Sequence, residues 1–337
     1  MSATRIFSGI QPTGRKHLGN YIGAIRQYVE GQERVGAGEA IYCIVDLHAI
    51  SVAYDPAELR ERLYDTAAVL FAAGIDPERS ILFRQSDVHE HTELCWLLSA
   101  VTAHGDLNRM TQFKEKSAKQ RELVSAALFA YPVLQAADVL AYRANEVPVG
   151  DDQRQHVELM REIARRFNER FAPRSPVLIE PEHRIPPVGA RIMDLQDPSQ
   201  KMSTTGGSDR GTVYVLDEPD QIAKKFKSAV TDSGDEVRRG EGKEGIANLI
   251  EILAVVRGQD PEQVEAEFAD SRYGDFKSAV AEGVVDYLAP LKARYGELRS
   301  DEAELETLLA QGAERARAIA SETLAVVRAS MGVGAAP

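Results

Sequence analysis

RIFSGIQPTGRKHLGN, residues 5–20, is the segment that decides the fold of this chain. Residues 5–10 predict a strand, which ends in the turn-forming stretch 9–14. A helix is predicted to begin near residue 19 and to run toward residue 33. In open α/β sheets ligands bind beyond the carboxyl ends of the strands, so this strand-to-helix corner is the first candidate site.

Strand and helix signals keep alternating beyond this corner. Residues 40–45 predict a buried strand, Asp55-Pro56 opens the next helix, and residues 80–83 predict a third strand. Residues 147–150 predict the end of a further strand. This alternation predicts an α/β fold with a doubly wound, parallel, Rossmann-type sheet.

The second part of the chain has a different pattern. Prolines punctuate a loop-rich region at 173–187, and helix signals dominate from about residue 216 onward. We predict a catalytic domain over 1–205, with a short insertion around 90–130, and a smaller all-α domain over 206–337. Whether the last helix packs back on the catalytic domain is left open. In the second domain, Pro219 is predicted to start a helix that continues through 223–230, and further helices are predicted at 245–256, 260–268, 276–291 and 301–331.

Composition limits the class of protein. The chain has 337 residues, a net charge of −12 and 44% hydrophobic residues, values that suit a two-domain globular protein. Cys43 and Cys95 form no CxxC pair, so zinc sites and disulfide frameworks are not expected. The N-terminus lacks an apolar signal segment, and the most apolar stretch, 125–142, includes proline, glutamine and aspartate. We therefore expect a cytoplasmic protein without a membrane span.

The corner after the first strand suits phosphate. Gly14 and Gly19 allow close backbone approach, and the helix beginning near Gly19 offers free N–H groups with a positive dipole end. His17 and Asn20 add hydrogen-bonding side chains. A polar loop with an incidental histidine is the competing interpretation of this motif alone.

A second motif, KMSTTGGS at 201–208, follows Asp197-Pro198. Its two glycines predict a movable loop, and Lys201 is suited to neutralise charge that builds on a polyphosphate. The competing interpretation is a solvated interdomain linker.

The two motifs, in this order and on this scaffold, resemble those of class I aminoacyl-tRNA synthetases, with HLGN at 17–20 and KMS at 201–203. Longer strings resemble the bacterial tryptophanyl-tRNA synthetase family: FSGIQPTG at 7–14, NYIGAI at 20–25, CIVDLHAI at 43–50, RMTQFKEKSA at 109–118, VPVGDDQRQHVEL at 147–159, ARIMDLQDP at 190–198 and SAVTDS at 228–233. The resemblance covers nearly the whole chain. It implies ATP-dependent activation of tryptophan and its transfer to tRNA.

One departure from the family pattern bears on the chemistry. The family loop usually continues with a second lysine that helps to stabilise the leaving pyrophosphate, and Thr204 stands at that position here. Lys201, Lys114, Lys116 or Arg210 is expected to compensate. Asn20 is common in the tryptophan family and puts nothing in doubt.

Asp138 lies inside an apolar run, and burying a carboxylate without partners is costly. From the residues alone, helix capping or backbone bonding is the favoured explanation of this aspartate. The resemblance implies that its carboxylate accepts the indole N–H of tryptophan. By the same matching, the indole would be walled by Phe7, Val147 and Val149, the ammonium group contacted by Tyr131 and Gln153, and the pocket flanked by His48 and Gln135.

The resemblance also assigns an ATP site. Residues implied to meet adenosine or phosphates are Gln11, His17, Gly19, Asn20, Gly150, Asp152, Lys116, Lys201, Met202 and Ser203. Those expected to act in catalysis are Lys201, Lys116, His17 and Gln11. The nucleotide would arrive with its own Mg²⁺, so no protein metal site is expected.

The implied partners are L-tryptophan, ATP, tRNA(Trp) and a second copy of the chain, joined near the insertion. Candidate RNA-facing residues are Arg161, Arg165, Arg166, Lys224, Lys225 and Lys227, although such clusters are usually solvated faces. Three rivals remain open: a tyrosine–tRNA ligase, a non-catalytic tryptophan- or tRNA-binding paralogue, and a small-molecule nucleotidyltransferase.

Overall fold

The computed structural model describes residues 4–111, 124–150, 153–184, 191–203 and 208–334. Five parallel strands form one sheet in the order β3-β2-β1-β4-β5. The strands are β1 (Ile6–Ile10), β2 (Ala40–Ile44), β3 (Ser80–Arg84), β4 (Glu146–Pro148) and β5 (Glu182–Arg184). The predicted parallel α/β fold is therefore confirmed.

The second strand, β2, is apolar along its whole length because both faces of the sheet are covered there. Every residue of β2 is buried. The register places Phe7 beside Ile41, and Cys43 beside Phe83. One buried cluster fills each side of the sheet, and the cluster that contains Ile44 continues into the helices of the second half of the chain.

Helices follow the strands in the predicted alternation. The first is interrupted: α1 (Leu18–Asn20) passes through a π-helical turn (Tyr21–Ile25) into α2 (Arg26–Arg34). The others are α3 (Asp46–Ala49), α4 (Pro56–Ala72), α5 (Glu90–Ser99), α6 (His104–Arg109), α7 (Ala126–Leu140), α8 (Arg154–Phe171), α9 (Pro219–Lys227), α10 (Glu244–Arg257), α11 (Pro261–Glu267), α12 (Tyr273–Ser300) and α13 (Glu302–Met331).

Helix starts agree best with prediction where the sequence provides an N-capping residue. Asp55 accepts a hydrogen bond from the backbone N–H of Glu58 at 2.8 Å, and Pro56 occupies the first helical position of α4. The predicted start of α9 at Pro219 is confirmed, but the helix ends at Lys227, three residues before the predicted end at residue 230. The loop-rich region at 173–187 also contains β5, a three-residue strand without an apolar run to reveal it.

The last helix, α13, lies directly against β3. A Cβ atom at Gly312 would stand 1.9 Å from the carbonyl oxygen of Leu82, so the two backbones touch there. Arg84 donates to both carboxylate oxygens of Glu306, at 2.9 and 3.1 Å. The end of the chain thus covers the sheet, while the domain division near residue 205 stays a prediction.

The strand order creates the crevice that positions the site. The chain leaves β1 toward β2 on one side and later returns to place β4 on the other, so adjacent crossovers diverge between β1 and β4. A cavity at the carboxyl ends of these two strands is the ligand position expected for such sheets. Within the described residues, no helix is both long and apolar enough to cross a membrane.

Candidate active site

The corner after β1 is held by a reciprocal cap. His17 Nδ1 accepts from the backbone N–H of Asn20 at 3.2 Å, and Asn20 Oδ1 accepts from the backbone N–H of His17 at 3.1 Å. A Cβ at Gly19 would lie 3.1 Å from the His17 ring, so glycine leaves room for the imidazole. Gly14 adopts a φ of 63°, the left-handed conformation that favours glycine.

His17 is neutral at physiological pH. Burial, together with the positive charges of Lys201 and Lys16, lowers its pKa to about 4. Because Nδ1 already accepts a hydrogen bond, the proton of the neutral ring is on Nε2. The side chain therefore offers one donor, without charge, at the corner.

The lysine loop lies beside this corner. Lys201 pairs with Met193 in an antiparallel bridge, and the backbone N–H of Met202 donates to the carbonyl of Ile192 at 3.1 Å. Ile192 Cβ is 3.6 Å from the Cβ position of Gly19. The two motifs, far apart in sequence, are therefore neighbours in space.

A cavity of about 630 Å³ opens at the carboxyl ends of β1 and β4. All eight residues predicted to contact tryptophan line it, and so do two of those predicted for ATP. They are Phe7, His48, Tyr131, Gln135, Asp138, Val147, Val149 and Gln153, with Gln11 and Gly150. The π-helical turn adds Gly23 and Ala24 to the lining, a contribution that helical periodicity alone does not predict.

Other predicted residues lie beside the cavity or away from it. His17, Gly19, Asn20, Lys201 and Ser203 belong to the adjoining corner and loop rather than to the lining. Met202, predicted to meet adenine, is only 1% exposed and packs in the core. Lys114, Lys116, Asp152 and Thr204 lie outside the described residues.

Asp138 is 1% exposed and is held by three side chains. His48 Nε2 lies 2.7 Å from Oδ2, while Gln85 Nε2 and His91 Nδ1 lie 2.7 and 2.6 Å from Oδ1. Burial opposes ionisation, but the neighbouring His48 and the bonds from both histidines hold the pKa of the carboxyl well below its usual range. The result is a buried, ionised acceptor at the cavity wall.

Sequence reasoning missed four polar residues at or near the cavity: His156, Ser8, Tyr28 and Lys16. Tyr131 Oη bonds His156 Nε2 at 2.9 Å, and Ser8 Oγ donates to Tyr28 Oη at 3.1 Å. Lys16 Nζ donates to the carbonyls of Gln11 and Thr13, at 2.9 and 3.2 Å, and so braces the turn. These contacts join residues distant in sequence or use backbone carbonyls, so no local pattern signals them.

The candidate RNA-facing residues need correction. Lys225 is 8% exposed, and its ammonium donates to Asp217 Oδ2 and to the Thr212 carbonyl, both at 2.7 Å. Lys225 forms a buried ion pair with Asp217, because α9 turns this residue toward the core beside Ile222 and Phe226. Lys224 and Lys227 are exposed.

The three candidate arginines on α8, Arg161, Arg165 and Arg166, are engaged within the chain. Arg161 donates to the carbonyl of Pro181 at 3.1 Å. Arg165 pairs with Glu162 and Glu180, both at 2.8 Å. Arg166 pairs with Asp106 and Glu162 at 2.7 and 2.8 Å. Any RNA contact by these side chains would have to compete with the acids that already bind them.

A Rossmann-type sheet with a glycine corner, a lysine loop and a cavity at its switch point defines the class of protein. The chain belongs to the tRNA synthetases class I (W and Y), a family model that matches residues 1–289. The resemblance read from the sequence is thereby confirmed.

Several relatives that resemble this chain over nearly its whole length bear the tryptophan name. The chain is 50% identical over 323 residues to tryptophan–tRNA ligase 2 of Streptomyces avermitilis, covering 95% of this chain and 94% of the relative. It is 46% identical over 333 residues to the tryptophan–tRNA ligase of Wolinella succinogenes, covering 99% and 100%. The crystal structure of Campylobacter jejuni tryptophanyl-tRNA synthetase, complexed with ADP and tryptophan, superimposes with a TM-score of 0.85 at 32% identity, covering 98% and 100%.

Proposed function

We propose that this chain is a tryptophan–tRNA ligase, which activates L-tryptophan with ATP and transfers it to tRNA(Trp). The observation that carries the proposal is the buried, ionised Asp138 at the wall of a cavity that adjoins the corner of His17 and Lys201. An aromatic amino acid in the cavity and a triphosphate at the corner would then be neighbours.

Asp138 accounts for the choice of amino acid. An indole ring offers one N–H donor and no acceptor, so an ionised carboxylate is its matching partner. Phenylalanine would leave that buried acceptor without its hydrogen bond, and sites of this kind discriminate by roughly 10⁴- to 10⁵-fold. Phe7, Val147 and Val149 supply the apolar walls.

The activation step needs no general base. The carboxylate of tryptophan is already a nucleophile at neutral pH and attacks the α-phosphorus of ATP, whose Mg²⁺ is bound to the nucleotide. Pyrophosphate leaves and tryptophanyl-adenylate forms. Positioning and charge stabilisation supply the catalysis: Lys201 and Lys116 neutralise the leaving phosphates, Gln11 contacts them, and neutral His17 donates one hydrogen bond.

Transfer follows when a terminal ribose hydroxyl of tRNA attacks the adenylate. We assign tRNA binding to the helical second half, where Lys224 and Lys227 are exposed and Lys225 is not. We further propose that the protein works in the cytoplasm as a homodimer.

Amino-acid-dependent ATP–pyrophosphate exchange tests the proposal. Purified protein is expected to support exchange with L-tryptophan and to show at least about 10³-fold lower kcat/KM with L-tyrosine or L-phenylalanine. Faster exchange with tyrosine would reassign the chain to the tyrosine branch of the family. Tryptophan binding without exchange or tRNA charging would make it a non-catalytic paralogue and would contradict the proposal.

A further inference from the structure

A second layer of polar residues lies behind Asp138, on the side away from the cavity. Gln85 and His91 donate to Oδ1 of Asp138, and Tyr142 lies behind His91. All three side chains are fully buried, and among the described residues none of them lines the cavity. Gln85 and His91 can therefore act on a ligand through Asp138, while Tyr142 also stacks on the cavity residue Phe7 with ring centroids 5.4 Å apart, a contact that Tyr142→Phe would keep.

The amide of Gln85 is fixed in one orientation. Its Nε2 donates to Asp138 at 2.7 Å, while its Oε1 accepts the backbone N–H of Leu47 at 3.1 Å. A flipped amide would place its oxygen against the carboxylate and its N–H₂ against another donor. The backbone of α3 thus guarantees that Gln85 presents a donor to Asp138.

The ring of His91 is fixed in the same way. Its Nδ1 lies 2.6 Å from Asp138 Oδ1 and its Nε2 lies 2.6 Å from Tyr142 Oη. Burial raises the pKa of Tyr142 well above its ordinary value, so the phenol keeps its proton. An ionised carboxylate can only accept, so Nδ1 carries a hydrogen and donates it to Oδ1. Both ring nitrogens are thus engaged, one by the carboxylate and one by the phenol hydroxyl, and the ring is held at both ends.

These donors leave the two oxygens of Asp138 unequal. Oδ1 receives two hydrogen bonds, which fill its lone pairs, whereas Oδ2 receives one, from His48. His48 lines the cavity, and Gln85 and His91 do not, so Oδ2 is the oxygen on the cavity side. One acceptor position therefore remains open, and it faces the ligand.

We propose that Tyr142 and His91 act as positioning residues for substrate selectivity, by locking Asp138 so that Oδ2 alone is open to the indole N–H. This inference rests on the proposed function. Without the phenol hydroxyl, Nε2 of His91 loses its hydrogen-bond partner and the ring is held only through Nδ1. The ring and the carboxylate bonded to it could then turn, and Oδ2 would no longer point at the indole N–H.

The test compares L-tryptophan with L-3-benzothienylalanine, in which sulfur replaces the indole N–H. The readout is the ratio of their kcat/KM values in ATP–pyrophosphate exchange. Tyr142→Phe is expected to lower this ratio about 5- to 10-fold, the size of one lost neutral hydrogen bond, without changing KM for ATP.

Tyr42→Phe is the matched control. Tyr42 is as deeply buried as Tyr142, and its hydroxyl donates to the Tyr28 carbonyl at 2.6 Å rather than to the Asp138 network. It should lose stability while keeping the substrate ratio within about two-fold of the parent protein. A purely structural role for Tyr142 would make the two variants behave alike, and an unchanged ratio in Tyr142→Phe would overturn the proposal.

Two further variants keep the result interpretable. If Tyr142→Phe does not fold, His91→Asn serves instead, because asparagine can still donate to Asp138 but does not reach the phenol; the same loss of ratio is expected, and an unchanged ratio refutes the proposal. Asp138→Asn separates the role of the carboxylate in indole recognition from the role of Tyr142 and His91 in positioning it. If the substrate ratio is unchanged in Asp138→Asn, the carboxylate does not recognise the indole, and both the proposed function of Asp138 and the positioning role of Tyr142 and His91 are refuted. If the ratio is lost in Asp138→Asn but unchanged in Tyr142→Phe, only the positioning role is refuted.

Discussion

At the scale of single residues, the site depends on buried polar groups whose protonation is set by their neighbours. Asp138 is an acceptor because three donors surround it, and His17 is neutral because burial and two lysines disfavour its cation. Lys16, which braces the turn, shows the same influence: burial and then Arg62 lower its pKa to about 8. The chemistry of each side chain is thus a property of its surroundings.

The lowered pKa of His17 predicts that the protein loses stability as the pH falls below about 6.5. Between its ordinary pKa of 6.5 and its folded pKa of about 4, the unfolded chain binds a proton that the native His17 does not. The free energy of unfolding should therefore fall as pH decreases through this window, by up to about 3 kcal/mol. Asp138 contributes only at lower pH, because its pKa is lowered and its stabilisation is lost below the ordinary value of 3.8.

Urea unfolding at pH 7, 5.5 and 4.5 measures this fall in the free energy of unfolding. His17→Asn is the comparison, since asparagine is a good helix cap and does not titrate. The variant should lose clearly less stability than the parent protein between pH 7 and 4.5. Parallel pH profiles for the two proteins would show that His17 is not the titrating group.

At the scale of elements, close backbone contact places the final helix. α13 touches β3 at Gly312, and the Glu306–Arg84 pair holds its first turns to the same strand. The sequence predicts α13 as a helix but cannot predict its position, because a glycine within a helix looks like a weak point until its neighbour is known. β5 escaped prediction for a related reason: its pairing with β4 compensates for its short, half-exposed sequence.

Gly312→Ala tests that contact. The added methyl group would collide with the Leu82 carbonyl, and we expect the free energy of unfolding to fall by about 1–3 kcal/mol. Gly296→Ala in α12 is the control, since a Cβ there meets nothing within 4 Å and should stabilise by about 0.5–1 kcal/mol. Urea denaturation of both variants provides the measurement, and equal effects would contradict close packing at Gly312.

At the scale of the whole molecule, the sequence predicted the parallel sheet, the corner after β1 and eight residues that line the cavity, because these depend on strand ends and on motifs that the family carries. It could not predict which charged residues of a helix face inward. Lys225 looks like its neighbours in sequence, and only Asp217 and the tertiary fold make it internal. The layer of Gln85, His91 and Tyr142 was missed because it joins the end of β3, α5 and the residues after α7 around one carboxylate.

The proposed dimer makes a prediction at this scale. Trp96, the single tryptophan of the chain, is 78% exposed on α5, within the predicted insertion. Trp96→Glu should shift the protein toward monomer in analytical ultracentrifugation, because a charge would replace an apolar contact. Val326→Glu on α13, where the valine is also exposed, should leave the association unchanged. If Trp96→Glu and the parent protein sediment identically, Trp96 on α5 does not lie in the dimer interface.

The most direct test of the central claim is a crystal structure of this protein with a non-hydrolysable tryptophanyl-adenylate analogue. We expect one ligand spanning both regions, with its indole nitrogen within hydrogen-bonding distance of Asp138 Oδ2 and its phosphate mimic beside His17 and Lys201. An indole bound away from Asp138, or a phosphate mimic that contacts neither His17 nor Lys201, would contradict it.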